Sequence, residues 1–196
     1  TLQGTIGKGY LGAKDYDPAN LEAGDGFGVV SLDGNRLAVS AQNERGFANA
    51  YPGNTVGAVY LFTFSDSAFS NPTLEGIIGK GYSGGKNYDV AELGVFGGFG
   101  DCFGSGVSLD GNRLAVGALG DDDASNASSA AGAVYLFTFT DSAFSGVVQQ
   151  AIIGKGYVGG KNYDMSMLEG GGPNGDIFGA SVSLSGNRLA VGAPQD

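Results

Sequence analysis

The chain has 196 residues, 38 of them Gly and 5 Pro, and its 10 Lys and Arg stand against 20 Asp and Glu for a formal charge of −10. That balance repels nucleic acid and anionic membrane surfaces, so neither is expected as a partner. With no His and one Cys, the chain can build no zinc site of the Cys/His type, no Ser-His-Asp triad, no Cys-His pair and no internal disulfide.

In chain order, the first predicted element is a strand from Leu2 to Tyr10, repeated at Leu74 to Tyr82 and Gln150 to Tyr157. All six lysines lie in it or just beyond it: Lys8, Lys80 and Lys155 inside, Lys14, Lys86 and Lys161 after. Lysine blunts exposed edges, which places this strand at the outer edge of a sheet. A long connection follows, such as Leu11 to Gly26, with a short helical turn expected around Asn20-Leu21-Glu22. It ends in Gly-Asp-X-Phe-Gly at Gly24, Gly100 and Gly175, where Asp25, Asp101 and Asp176 are placed to cap backbone amides, with metal binding as the sharper alternative. Cys102 in this turn reads as a small buried hydrophobe rather than a reactive thiol.

Two short runs joined by Asp33-Gly34, Asp110-Gly111 or Ser185-Gly186 come next, and such turns make hairpins because their residues tolerate positive φ. The second run is built of small residues, and Ala115, Gly117 and Ala118 would let neighbouring sheets approach closely. The loop after it differs between copies. One carries Gln42, Asn43, Glu44 and Arg45, the other Asp121, Asp122, Asp123, Ser125 and Asn126. Variable polar loops on a repeated scaffold are candidate binding surfaces. Ala133 to Phe139, echoed by Ala58 to Phe64, is the strongest strand, apolar on both faces and so expected to be covered on both sides.

The whole pattern recurs at about 75 residues, giving about 2.6 units with residue-level drift assigned to loops. Residues 1–26 read as the end of one unit and its connection, 27–102 and 103–177 as two units, and 178–196 as the start of a third. Four strands per unit packed sheet on sheet predict an all-β fold, a β-propeller-type repeat of four-stranded antiparallel blades. A ring of about 2.6 blades does not close, so further blades are expected from other sequence or other copies.

The residues Phe178 to Pro194, and their two earlier copies, resemble the FG-GAP repeat of the integrin α-chain propeller, and more closely its bacterial variety. The resemblance implies a β-propeller in a secreted or cell-surface protein with an adhesion role. It also implies a calcium loop between the first two strands, but Leu109-Asp110-Gly111-Asn112-Arg113 is too short and too poor in carboxylates for one. No cofactor is required. Asp121, Asp122 and Asp123 are the remaining candidates for Ca2+, against the reading of a solvated acidic loop.

The expected function is therefore non-catalytic: an extracellular scaffold binding a protein or glycan on a surface through its loops. A self-assembling subunit of an extracellular filament or sheath, with further copies as partner, is the alternative. A carboxylate glycosidase ranks below both, since paired Asp or Glu are the only catalytic groups available. Asn126-Ala127-Ser128 also matches a glycosylation acceptor.

Overall fold

The computed structural model describes residues 2–94, 100–169 and 175–196. The segments 95–99 and 170–174, which fall in the predicted connections between units, lie outside the described residues. The first sheet contains β1 (Phe27–Asp33), β2 (Arg36–Ala41), β3 (Ala58–Thr63), β4 (Thr73–Gly79) and β5 (Tyr88–Asp89) in that order. The second contains β6 (Phe103–Asp110), β7 (Arg113–Ala118), β8 (Ala133–Thr138), β9 (Val148–Gly154) and β10 (Tyr163–Asp164). A third holds β11 (Ser181–Ser185) and β12 (Arg188–Gly192). Residues 2–16 precede them, with Ile6 bridged in parallel to Tyr16 as Ile78 is to Tyr88 and Ile153 to Tyr163. The fold is nearly all β, a partial β-propeller of FG-GAP type.

Neighbouring strands of each main sheet are antiparallel except the last pair, a parallel two-residue strand the repeat pattern did not predict. This addition changes the reading of the lysines. Lys80 and Lys155 lie one residue past β4 and β9, in turns, and each ammonium donates 2.7 Å to a carbonyl, Ala91 and Leu168 respectively. Lys86 and Lys161 reach back to Glu75 and Gln150 on the strand they follow. The outer edge is closed instead by backbone and amide groups: Asn87 Oδ1 accepts the Ile77 amide and Asn162 Oδ1 the Ile152 amide, each at 2.8 Å. The expected helical turn near Leu21 is a plain turn, with the Leu21 amide on Pro18 O at 3.0 Å and the Leu21 side chain buried. Pro18 fixes the turn while Leu21 seeks the core, and neither needs a helix.

Sheet order places β1, β6 and β11 side by side, each first strand stacked on the next. The stack is sealed by apolar residues from both partners: Ala38, Val59, Leu61 and Ile78 of the first sheet pack with Val107, Leu109, Leu114 and Val116 of the second. Polar groups fix the offset. Ser31 Oγ accepts the Leu109 amide and Ser108 Oγ the Leu184 amide, both at 2.9 Å, while Asp33 and Asp110 carboxylates accept the amides of Gly111 and Gly186. Arg36 donates to Gly111 O and lies over the Phe144 ring at 4.2 Å, an apolar seat that holds its guanidinium below the usual range by desolvation.

Of the small residues expected at the close approach of sheets Gly117 lies there, and Gly132 and Gly57, which the repeat pattern did not single out, do the same. A Cβ on Gly117 would collide with the Gly179 carbonyl, and one on Gly132, where φ is +83°, with the Phe178 backbone. Gly57 meets Phe103 in the same way, and both pairs form parallel bridges between sheets. Part of the drift between units sits not in loops but in the first strand. Phe27 pairs Ala41 and Val30 pairs Val39, whereas Phe103 pairs Ala118 and Val107 pairs Val116, so the second sheet's bulge holds one more residue.

Replacing Gly132 by Ala is expected to cost about 3 kcal/mol, combining strain at positive φ with collision against the neighbouring sheet. Gly111→Ala, at a hairpin turn with positive φ and open space around the Cβ, is expected to cost only about 1 kcal/mol. Urea unfolding of the two variants checks the difference, and equal losses would show that the sheets do not depend on this approach.

Candidate functional site

The loops joining β2 to β3 and β7 to β8 lie at the same end of their sheets, and each is pinned by a buried carboxylate. In the second sheet the Asp121 carboxylate accepts the Tyr135 hydroxyl at 2.8 Å, the Tyr157 hydroxyl at 3.0 Å and the Asp123 amide at 3.0 Å. In the first, Glu44 accepts the Tyr82 hydroxyl and the Gly46 amide, both at 2.8 Å. Tyr60 occupies the place of Tyr135, its hydroxyl buried. Burial and the adjacent charges push all four tyrosines above their ordinary range, so they stay protonated. Tyr82, Tyr135 and Tyr157 donate to the carboxylates, while the Tyr60 hydroxyl has no hydrogen-bond partner among the described residues. Backbone bonds complete the anchor: the Phe47 amide donates to Lys80 O and the Ala124 amide to Lys155 O, tying each loop to the turn after the fourth strand.

The predicted capping aspartates close the other side. Asp25, Asp101 and Asp176 are all buried, and their carboxylates accept the amides of Glu22, Gly94 and Glu169. Asp101 lies against Asp121. Burial, followed by the repulsion of Asp121, pushes its carboxyl up to about 8, and burial raises Asp121 despite its tyrosine donors. Burial likewise raises Glu44. The residue between cap and Phe is held at positive φ whatever its type: Gly26, Cys102 and Ile177 have φ of 69°, 53° and 49°. Cys102 is half-buried, its Sγ 3.4 Å from Thr55 Oγ1, and burial pushes the thiol up, away from the reactive thiolate.

The predicted site residues divide between anchor and surface. Asp121, Asp122 and Asp123 are adjacent but buried, not a solvated acidic run. Asp122 Oδ1 accepts the Ala130 amide at 2.9 Å, and Asp123 Oδ1 takes the Ser125 amide and hydroxyl at 2.6 and 2.7 Å. Such donors hold the Asp123 carboxyl down, at about 2, although burial works the other way. Glu44 points inward as described. Arg45, Ser125 and Asn126 are exposed, and Gln42 and Asn43 are half-buried, with Asn43 bonded to the Gly24 carbonyl at 3.3 Å. The repeat pattern did not single out the tyrosines, although a Tyr recurring among aliphatic strand neighbours needs a partner for its hydroxyl once buried. Nor did it find Phe47, half exposed beside Arg45 and edge-on to Tyr82.

Residues 97–137, running from the connection through β6, β7 and the aspartate loop into β8, match the FG-GAP repeat family. The chain carries an FG-GAP repeat. No curated protein matches it. The calcium loop that an integrin-type FG-GAP repeat would place between β6 and β7 does not fit these residues. The turn is two residues long, and Asp110 is spent on the Gly186 amide and on Arg113 at 2.9 Å. Among the described residues no group of three or more Asp, Glu, Cys or His is arranged around a cation position.

Because the Asp101 and Asp121 carboxyls titrate higher when folded than when unfolded, the folded chain holds protons that the unfolded chain has released. The resulting penalty builds as pH rises from about 4 to about 8 and is complete above that. Asp101→Asn keeps an acceptor for Gly94 and is expected to stabilise the chain by about 2 kcal/mol at pH 8.5, with the gain closing toward pH 4. Urea unfolding at the two pH values checks it, and a pH-independent difference would count against a buried acid pair. Calorimetric titration of Ca2+ is expected to give no saturable heat. Heat that Asp122→Ala abolishes would restore the aspartate loop as a calcium site.

Proposed function

We propose that this chain is a non-catalytic binding scaffold of an extracellular or cell-surface protein, and that it engages its partner through the β2–β3 and β7–β8 loops. One observation carries the reading: the two loops share the carboxylate and tyrosine anchor but present different surfaces. The first offers Arg45 and Phe47, the second Ser125 and Asn126 with small neighbours. A fixed mount under a variable surface is how rigid folds carry recognition. The partner is a protein or a glycan, since Arg, aromatic and amide groups suit either.

The carboxylate pairs support a structural rather than a hydrolytic role. Asp101 and Asp121 are buried, and their oxygens serve a backbone amide and tyrosine hydroxyls. An extracellular setting agrees with the FG-GAP repeat. Among the described residues no helix is long and apolar enough to cross a membrane.

A labelled chain is expected to bind saturably on an array of immobilised surface glycoproteins and polysaccharides. The combined variant Arg45→Ala, Phe47→Ala, Ser125→Ala and Asn126→Ala is expected to lose at least tenfold in affinity with its thermal midpoint kept, as removal of exposed anchors should. Silence across the array, or binding indifferent to these substitutions, would end the reading.

A further inference from the structure

At the hairpin end of the sheets, opposite the β2–β3 and β7–β8 loops, a cleft of about 590 Å3 opens between the two five-stranded sheets. Its lining includes Asp33, Asn35 and Arg36 of the β1–β2 turn, Thr63 at the end of β3, and Ser142 and Ala143 of the turn from β8 to β9. The two walls are tied together. Thr63 Oγ1 donates to Glu75 at 2.6 Å, Glu75 pairs with Lys86, and the Lys86 ammonium donates to the Ala143 carbonyl at 2.7 Å. Within the β8–β9 turn, Asp141 Oδ1 accepts the Ala143 and Ser145 amides at 2.9 and 3.0 Å, and Ser142 between them is exposed. On the facing turn the Asn35 carbonyl accepts the Phe64 amide at 2.9 Å, and Asn35 is exposed too.

Arg36 is the one lining group whose hydrogen bonding is incomplete. It is 7% exposed, its Nη1 donates to Gly111 O, and the donors of its other edge, Nε and Nη2, have no partner among the described residues. Buried donors of a charged group left without acceptors are unfavourable, and an acceptor entering the cleft would relieve them. The charges around them restrict what that acceptor is. The Asp33 and Asp141 carboxylates both act on the guanidinium, and Asp33 spends only Oδ2 on the Gly111 amide, at 2.9 Å. A carboxylate or phosphate would be drawn by Arg36 and repelled by both aspartates, and an ammonium would meet the reverse. A neutral ligand that accepts and donates over a short span meets neither penalty, and adjacent hydroxyls of a sugar are such a group.

We propose that this cleft is a second binding site, for a neutral sugar unit of a glycan. One sugar hydroxyl accepts from Nε and Nη2 of Arg36 and its neighbour donates to Asp33, while the Asn35 amide and the Ser142 hydroxyl, on facing turns, bond the remaining hydroxyls at the mouth. The cross-sheet chain from Thr63 to Ala143 holds the two turns at a fixed separation, so little order has to be gained on binding. The site lies at the far end of the sheets from the β2–β3 and β7–β8 loops and stands whether or not those loops engage a partner.

Titration of the 15N-labelled chain with glucose, galactose, mannose and N-acetylglucosamine in turn, followed by NMR, tests the proposal. At least one sugar is expected to shift the Arg36 Nε–H, Asn35 side-chain amide and Ser142 backbone amide signals together and saturably, with Kd on the order of 1 mM, while the Gly46 and Phe47 amides stay in place. Asn35→Ala combined with Ser142→Ala, both at exposed positions, is expected to weaken that binding about tenfold with the thermal midpoint kept. Ser142→Ala alone carries the test should the Asn35 change disturb its turn. Sodium acetate and a short uncharged peptide, titrated in the same way, are expected to leave the three signals unmoved. No response to any of the four sugars, a response to acetate or peptide in their place, or sugar binding indifferent to the substitutions would overturn the proposal.

Discussion

Where the sheets meet nearest the shared axis, backbone touches backbone. Gly57 against Phe103 and Gly132 against Phe178 leave no room for a methyl group, and Gly117 lies as close to Gly179. This approach sets the pitch of the stack, and the remaining contacts are arranged at that pitch. Serine and aspartate side chains reach across it to amides of the next sheet, and Val107 and Leu109 are sealed by it. Each sheet is therefore a poor unit alone, apolar on both faces, and its stability comes from its neighbours.

The same geometry explains the cost accepted at the loop end. Asp101 and Asp121 are brought together because the connection into one sheet and the loop between its second and third strands converge behind Tyr135 and Tyr157. Two buried acids in contact are unfavourable when both are charged. Their return is order: each carboxylate collects amide or hydroxyl donors from the loop or connection beside it, and the backbone there has no strand partner to satisfy it otherwise.

Much of this fold is legible in the sequence. Alternation and the Asp-Gly turns place β6, β7 and β8 within a residue or two of where they lie, and the recurrence of the pattern implies that sheets stack. The capping role of Asp25, Asp101 and Asp176 is legible too, because it is local. What is hidden depends on distant partners. Tyr88 and Asp89 form a strand only because Ile78 and Gly79 lie alongside, and two residues carry no period. Glu44 reads as a surface residue until Tyr82, 38 positions later, turns it inward. The seat of Arg36 likewise comes from far along the chain, since Phe144 of the other sheet supplies it.

The amides of Ile77 and Ile152 are taken by Asn87 and Asn162, and β5 and β10 occupy what remains of the rim. Among the described residues the rim therefore offers a strand from outside little free backbone to pair with. Contact between units is thus confined to the faces of the sheets: a blade meets its neighbours around the axis and not through its outer edge.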